Sequence, residues 1–333
     1  MSILVVGGAG YIGSHAVYTL IEKKEKVVVV DSLATGHAEA VHPEAAFYKG
    51  DIRDRHFLKQ VFENEDIEAV MHFAASPIPS QSNSVFSSFN ENLTGMETLL
   101  DVMKEYNVSR IVFASSVAVY GCPQDLPVTE ETETETEPVH PHGKVKWMME
   151  KMLMEAEKAY GLKYVILRSF NPCGAHPSAI IGEDWGNETH LISNVLRTAL
   201  GHLPFVHIDH PENVTGFRDY VHVQDLAEAH VLAISHLRNG KDSRIYNLSY
   251  GESYSAEQII LAAQYVTGIP LIAAKLTETD IDSQATFAAS SSRARKELGW
   301  TPKHNSLIAI IRDAWNWHSA NPNGYASEKV KQG

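Results

Sequence analysis

The chain has little cysteine, a deficit of positive charge and no long apolar run. Its 333 residues include 2 cysteines, Cys122 and Cys173, which form neither a C-x-x-C pair nor a disulfide framework, and this favours a cytoplasmic protein. Lys and Arg number 28 against 41 Asp and Glu, a net charge of −13, which argues against nucleic acid or an anionic membrane as the main partner. No stretch approaches the roughly 18 apolar residues of a membrane span. Ile3–Val6 runs directly into glycines, so we expect no leader peptide.

Short, β-branched apolar runs alternate with longer helical patterns through the first half of the chain. The runs are Ile3–Val6, Val27–Val30, Ala46–Tyr48, Ala69–Phe73, Ile111–Ala114 and Tyr164–Leu167. Continuously apolar strands that are each followed by a helix are typical of a parallel sheet covered on both faces. We therefore predict a doubly wound α/β domain over residues 1–170. Residues 171–333 are predicted to form a smaller C-terminal lobe, part of which returns to the first domain. It opens with a long loop over Asn171–Asn187.

A glycine-rich turn follows the first strand and opens the first helix. The predicted cofactor contacts in this turn are Gly7, Gly10, Tyr11, Ile12 and Gly13. Glycines at this spacing let the backbone approach a pyrophosphate, which is then held at the helix N-terminus. Asp31, followed by Ser32, ends the second strand and is placed to accept hydrogen bonds from the adenosine ribose. The carboxylate repels a 2′-phosphate, so the pattern predicts a Rossmann domain that binds NAD rather than NADP.

Two further strand ends fit the same ligand, although each is also a common way for a strand to end. Asp51 and Ile52 follow the third strand, where a carboxylate can meet the adenine amino group. Phe73, Ala74 and Ala75 end the fourth, where small residues let the backbone pass close to the cofactor. The 17 histidines come with no H-E-x-x-H motif or Cys/His cluster, so no metal site is predicted.

Several motifs together resemble the extended short-chain dehydrogenase/reductases, and within them the branch that epimerises UDP-hexoses at C4. They are GGAGYIGSH at the start, DIRD at 51–54, SFNPCGAHPS at 169–178, FRDYVHVQDLAEAH at 217–230 and ELGW…AWNWH near the end. The resemblance implies a resident NAD, a UDP-sugar substrate, a homodimer and a reaction through a transient 4-keto sugar. Sugar-nucleotide dehydration, the other common chemistry of this group, is disfavoured because Val117 and Ala118 follow Ser116 where dehydratases carry an Asp-Glu pair.

The resemblance also implies roles for individual residues. It places Ser116, His142 and Lys146 at the reaction centre, with Lys146 also holding the nicotinamide ribose. It adds Asn92 and Phe170 to the cofactor contacts. The implied substrate contacts are Asn171, His190, Leu191 and Arg218. For Arg218 an ion pair with Asp219 or another acid is the alternative interpretation.

Two positions depart from the family pattern. His142 stands where the family has tyrosine, four residues before Lys146, so both side chains share one helix face. A neutral imidazole can act as a general base, but it is shorter than a phenol. Secondly, Glu278–Ser283 reads ETDIDS where the family carries an arginine pair for the diphosphate. Two alternatives to the 4-epimerase therefore stay open: a catalytically impaired NAD-binding protein, and an oxidoreductase or epimerase with a non-UDP substrate.

One further segment stands out by composition. Thr129–Pro138 reads TEETETETEP, and such a charge run is interpreted as a solvated surface loop, or else as a regulatory or partner-binding segment.

Overall fold

The structure, a computed structural model, describes residues 1–75, 85–121, 123, 125–132, 134, 141–185, 190–206, 218–272 and 289–325. The strands are β1 (Ser2–Val6), β2 (Val27–Asp31), β3 (Ala46–Lys49), β4 (Ile67–His72), β5 (Arg110–Ser116), β6 (Lys163–Ser169), β7 (Asn171–Cys173), β8 (Arg218–His222), β9 (Arg244–Leu248) and β10 (Ser253–Tyr254). The helices are α1 (Tyr11–Glu22), α2 (Arg55–Asn64), α3 (Val85–Glu105), α4 (Pro141–Tyr160), α5 (Leu191–Ala199), α6 (Val223–Arg238), α7 (Ala256–Thr267) and α8 (Leu307–Ala320).

Seven parallel strands form the main sheet in the order β3-β2-β1-β4-β5-β6-β9. The order reverses between β1 and β4, and ligands of doubly wound sheets bind outside the carboxyl ends of the strands at such a reversal. The predicted α/β fold class is confirmed. β9 adds the last strand to this sheet, so the chain returns to it after the small lobe has begun.

Alternation along the strands explains why helices cover both faces. Ile3 and Val5 of β1 pack with α1 and α6 on one face, while Leu4 and Val6 pack with α2, α3 and α4 on the other. Every residue of β1 is buried. A continuous apolar run is therefore what this strand requires, because successive side chains point to opposite layers.

The small lobe packs α5, α7 and α8 around a separate apolar cluster. Its three-stranded sheet runs β10-β8-β7, with β8 parallel to β7 and antiparallel to β10. The prediction of a continuous loop from Asn171 was wrong at its start, because Asn171–Cys173 pairs with β8. The domain division at residue 170 stays a prediction. Within the described ranges, no helix combines the length and apolarity that crossing a membrane requires.

Candidate active site

The glycine turn brings three backbone segments closer together than side chains would permit. Gly7 follows β1 with φ of +80°, and a Cβ on it would lie 2.5 Å from the amide nitrogen of Ala74. A Cβ on Gly13, in the first turn of α1, would lie 2.1 Å from the carbonyl oxygen of Gly7. Glycine is therefore required at both positions if the turn, the helix and the end of β4 are to pack as they do.

The backbone amides at the N-terminus of α1 donate to no capping side chain. Gly10 is the N-cap residue, no side chain caps the helix, and no acidic residue lies in its first turn. No acidic side chain of the first turn offsets the partial positive charge of this helix end, which suits a phosphate. Tyr11 and Ile12 are half-buried at this end, and the Tyr11 hydroxyl donates to the carbonyl of Gly174 at 2.6 Å.

Asp31 is fixed by the backbone around it. Its Oδ2 accepts from the amide of Ala9 at 2.9 Å, and its Oδ1 accepts from the amide of Leu33 at 2.8 Å. A carboxylate has about four acceptor positions, so each oxygen keeps capacity for a ribose hydroxyl. The exposed Ser32 follows, and its hydroxyl accepts from the Ala34 amide at 3.3 Å.

Asp51 forms an ion pair with Arg53 that the sequence analysis did not predict. Both of its oxygens accept from the Arg53 guanidinium, with Oδ2 at 2.5 Å from Nη2, and this hydrogen bonding lowers the pKa of Asp51. Ile52 is half-buried against α3, where a Cβ on Gly95 would lie 2.7 Å from its Cδ1. A contact between Asp51 and the adenine amino group would therefore use a carboxylate that is already paired with Arg53.

The other predicted cofactor residues lie at or behind the same edge. Ala74 and Ala75 extend from β4, with Ala75 exposed, and the Phe73 ring lies 4.6 Å from the ring of His230 on α6. Asn92 is buried on α3, where its amide donates to the carbonyl of Ser88 at 2.7 Å. Phe170 is buried after β6, and its amide donates to Leu248 on β9.

Lys146 is a buried ammonium at the centre of the site. It is 5% exposed, its Nζ donates to the carbonyl oxygen of Ala114 at 2.8 Å, and it lies 4.8 Å from the centre of the Phe113 ring. Burial lowers its pKa to about 8, against an opposing effect of the Glu150 carboxylate. At pH 7 the group is therefore still mainly cationic.

His142 lies one helical turn before Lys146 on the same face of α4. The side chain is exposed, in contrast to Lys146. Crowding by protein atoms and, secondly, the charge of Lys146 lower its pKa. The imidazole is therefore neutral at pH 7 and has a nitrogen available to accept a proton.

Ser116 completes the group at the carboxyl end of β5. Its Oγ accepts from the amide of Ala118 at 3.2 Å, so the hydroxyl proton remains available for donation. Ala114, which accepts from Lys146, lies two residues earlier on the same strand. Ser116 therefore lies at the carboxyl end of the strand to which Lys146 is hydrogen-bonded, and His142 lies one turn before Lys146 on the same helix.

Three buried residues near Lys146 were not found by sequence reasoning. His72 ends β4 and His230 lies on α6, and burial followed by the charge of Lys146 lowers the pKa of each, to about 3 and about 4. Glu150 lies one turn after Lys146 on α4 and is 1% exposed. Its signal in the sequence was an acid on the apolar face of a helix, four residues beyond the lysine.

The predicted substrate residues lie in the small lobe. The Asn171 amide donates to the backbone carbonyl of Asp219 at 2.8 Å, beside Arg218 at the start of β8. The Asp219 carboxylate accepts from the Ser249 hydroxyl and the Gly251 amide. The alternative ion pair for Arg218 is not seen with any residue that the structure describes, so its guanidinium stays a candidate for a diphosphate.

His190 is the N-cap residue of helix α5, and Leu191 is the first residue of the helix. The His190 Nδ1 is 2.8 Å from Glu183 Oε1, and Ser193 donates to the other oxygen of Glu183 at 2.5 Å. Leu191 is buried as the first residue of the helix. Their contact with substrate stays a prediction.

Two segments singled out in the sequence are described only in part or not at all. Glu278–Ser283 lies outside the described residues. The interpretation of Thr129–Pro138 as a solvated loop was wrong for Glu130, whose side chain is 3% exposed. Its Oε1 accepts from the amide of Asn247 on β9 at 2.9 Å, so this carboxylate is part of the packed interior.

Comparison with known proteins agrees with this geometry. The chain belongs to the NAD dependent epimerase/dehydratase family, whose model matches residues 3–249. It is 47% identical to the UDP-glucose 4-epimerase of Streptococcus mutans, over 98% of this chain and 99% of that protein. The corresponding enzyme of Lactobacillus helveticus is 44% identical over 98% of this chain and 99% of its own length.

Solved structures give the same result. A UDP-glucose 4-epimerase crystal structure matches with a TM-score of 0.91 and 43% identity, covering 98% of this chain and 99% of that one. The Bifidobacterium longum enzyme, in complex with NAD+ and UDP, matches with a TM-score of 0.88 and 35% identity, covering 97% and 100%.

NAD is the cofactor of the family, and the residues of this chain fit it. Gly7 and Gly13 keep the turn tight, because a Cβ on either would collide with backbone atoms, and Gly10 leaves the backbone bare at an uncapped helix end. Asp31 has acceptor capacity at the end of the adjacent strand. Phosphates and ribose hydroxyls require this combination of donors and acceptor.

Proposed function

We propose that the chain is an NAD-dependent UDP-hexose 4-epimerase that interconverts UDP-galactose and UDP-glucose, with His142 as its general base. The end-to-end similarity to UDP-glucose 4-epimerases carries this proposal. The position of Ser116 at the end of β5, with His142 and Lys146 on the helix that is bonded to this strand, supports the chemistry. When bound, NAD would supply the acceptor and the donor for the hydride at C4 of the sugar.

The residues of the chain handle the proton of the 4-hydroxyl. The neutral His142 imidazole accepts this proton, and the Ser116 hydroxyl holds the oxygen from which it leaves. Lys146 keeps a positive charge at pH 7, so it favours the neutral form of His142 and can hold the nicotinamide ribose. A lowered pKa keeps the imidazole available but also makes it a weaker base.

The UDP moiety is assigned to the small lobe. Arg218, with no anionic partner among the described residues, provides a charge for the diphosphate, and Asn171 lies beside it. His190 and Leu191, at the start of α5, contribute the other side of the same site. The acidic ETDIDS sequence at 278–283 predicts weaker diphosphate binding than in relatives with arginines there.

We also propose a homodimer in a reducing, cytoplasmic compartment. Met148 on α4 is exposed, unlike the neighbouring Met149, and an adaptable apolar side chain suits a helix-packed interface. Cys173 is a buried free thiol, as a reducing compartment would leave it. Light scattering on the purified protein tests the dimer, and a monomer at micromolar concentration would contradict it.

Two substitutions at one position test the assignment of His142. His142→Phe keeps a ring but cannot accept a proton, so UDP-galactose conversion should fall by at least about a hundredfold. His142→Tyr restores the group of the family beside Lys146, and turnover should rise by about tenfold or more. NAD content is measured for each variant, so that lost activity is not confused with lost cofactor.

The results separate the competing functions. Activity lost in the Phe variant identifies His142 as a working base. Activity that appears only in the Tyr variant identifies a natural protein that is impaired at this one position. Absence of activity from all three proteins with NAD bound would contradict the 4-epimerase and favour a different substrate or a non-catalytic role.

A further inference from the structure

Glu150 occupies an unusual position for a carboxylate. It lies on the inner face of α4, is 1% exposed, and accepts three hydrogen bonds. Its Oε1 accepts from the Ser115 hydroxyl at 2.5 Å and from Arg168 Nε at 3.0 Å, and its Oε2 accepts from Arg168 Nη2 at 2.6 Å. A buried charge is retained only when it is compensated in this way, so the group is specifically accommodated.

The partners of Glu150 come from two neighbouring strands. Ser115 of β5 and Arg168 of β6 are directly paired in the sheet. The Arg168 guanidinium also lies 4.7 Å from the centre of the Tyr120 ring, and the Tyr120 hydroxyl donates to Asn247 Oδ1 on β9 at 2.8 Å. One carboxylate on α4 thus connects the helix to a polar chain that crosses three adjacent strands.

A second bond joins the same helix to the same strand. Lys146 Nζ donates to the carbonyl of Ala114, and the Ser115 hydroxyl donates to Glu150. On β5 the two bonds use the consecutive residues Ala114 and Ser115, which come immediately before Ser116. On α4 they use Lys146 and Glu150, which lie one turn apart. Two such bonds restrict both sliding and rotation of α4 along β5.

We propose that Glu150 is a positioning residue, which holds the helix face carrying His142 and Lys146 in register with Ser116 on β5. The inference rests on the proposed function for its effect on turnover. Glu150 is 1% exposed and acts through its hydrogen bonds with Ser115 and Arg168.

The charge of Glu150 contributes to the same role. The titratable groups around Lys146 come from three elements: His142 and Glu150 from α4, His72 from β4 and His230 from α6. Among them, Glu150 is the anion. It favours the ammonium form of Lys146 and thereby offsets part of the effect of burial on the pKa. Without it, Arg168 and Lys146 would remain as two buried cations.

Three variants separate positioning from general stability. Glu150→Gln keeps the shape but removes the charge and two of the acceptor sites. Ser115→Ala removes one bond between α4 and β5 and leaves the Glu150–Arg168 pair in place. Glu157→Gln is the matched control, because Glu157 lies on the same helix and accepts from Lys163 Nζ at 3.0 Å and Ser243 Oγ at 2.7 Å, away from Lys146.

The titration of Lys146 is the readout that does not depend on activity. It is followed by NMR of protein labelled at lysine Cε, with the resonance assigned by Lys146→Met. Glu150→Gln should move the titration midpoint of Lys146 downward by at least about one pH unit, because an opposite charge has been removed. Glu157→Gln and Ser115→Ala should leave it in place, since neither changes the charge beside Lys146.

Turnover provides the second readout. We expect kcat to fall at least about tenfold in Glu150→Gln and about threefold or more in Ser115→Ala, with little change in Glu157→Gln, because small displacements of catalytic groups are costly. Unchanged kcat and an unchanged Lys146 midpoint in folded Glu150→Gln would overturn the proposal. If that variant does not fold, Ser115→Ala decides, and a kcat equal to that of the control overturns it. If the natural protein lacks epimerase activity, the proposed function fails while the Lys146 titration still tests the charge of Glu150.

Discussion

Replacing Gly13 by alanine tests the packing of the cofactor turn. The new Cβ would lie 2.1 Å from the carbonyl oxygen of Gly7 and 2.9 Å from its carbon, against backbone that cannot rotate away. Ordinary contact distances require a displacement of about 1 Å, and overpacking on this scale costs about 1–3 kcal/mol of folding stability. The same displacement moves the amides at the start of α1 away from the pyrophosphate, so NAD affinity should fall by at least about tenfold.

Gly10 provides the matched control within the same turn. A Cβ there would meet only the carbonyl oxygen of Gly7, at 3.4 Å, which is an ordinary contact. Gly10→Ala should therefore change the unfolding free energy of the ligand-free protein by less than about 0.5 kcal/mol. If the pyrophosphate lies over this turn, the added methyl group obstructs it and NAD affinity falls nevertheless.

Urea denaturation of NAD-free protein measures the stability of both variants, and calorimetric titration with NAD measures affinity. We expect Gly13→Ala to lose both stability and affinity, and Gly10→Ala to lose affinity alone. Equal stabilities for the two variants would refute the packing argument. Unchanged NAD affinity in both would refute the placement of the cofactor on this turn.

Three further predictions concern charged groups. Turnover should fall as the pH rises through about 8, because Lys146 loses its proton there, and Lys146→Met should abolish this limb of the pH–rate profile. Asp225→Asn should lower the free energy of unfolding, measured in urea, by at least about 2 kcal/mol. The reason is that the Asp225 carboxylate accepts from the Tyr250 hydroxyl and from the backbone and ring of His304. Burial opposes this effect, but the hydrogen bonds outweigh it and lower the pKa of Asp225 to about 2. The contribution of Asp225 to stability is therefore complete above the pKa of the unfolded chain and is lost as the pH falls toward 2. An Asp225→Asn variant whose stability depends on acid pH as the natural protein's does would contradict this. Asp31→Asn should reduce the preference for NAD over NADP by about tenfold in calorimetry, and an unchanged ratio would mean that Asp31 does not face the ribose.

The parts of the fold that were predictable are those determined by local pattern. Val27–Val30 is continuously apolar because β2 is covered on both faces, and this is visible without knowing its neighbours. The spacing of Gly7, Gly10 and Gly13 likewise reflects contacts within one turn and one adjacent strand. Both features are encoded in short stretches of sequence.

The parts that escaped prediction depend on pairings between distant segments. Glu150 is an ordinary helix residue until Ser115 and Arg168 are placed side by side by the β5–β6 register. Glu130 looks like part of a solvated acidic run until β9 supplies the Asn247 amide. The identity of such partners is a property of the sheet order, which no single segment contains.

Incubation of the purified protein with UDP-galactose carrying deuterium at C4 tests the central claim most directly. Formation of UDP-glucose is followed by NMR, together with the amount of NAD bound to the protein. We expect conversion to an equilibrium mixture of the two sugars, with deuterium retained at C4 and no net consumption of NAD. Protein that holds NAD but leaves UDP-galactose unchanged, or that exchanges the deuterium with water, would contradict the proposed 4-epimerase.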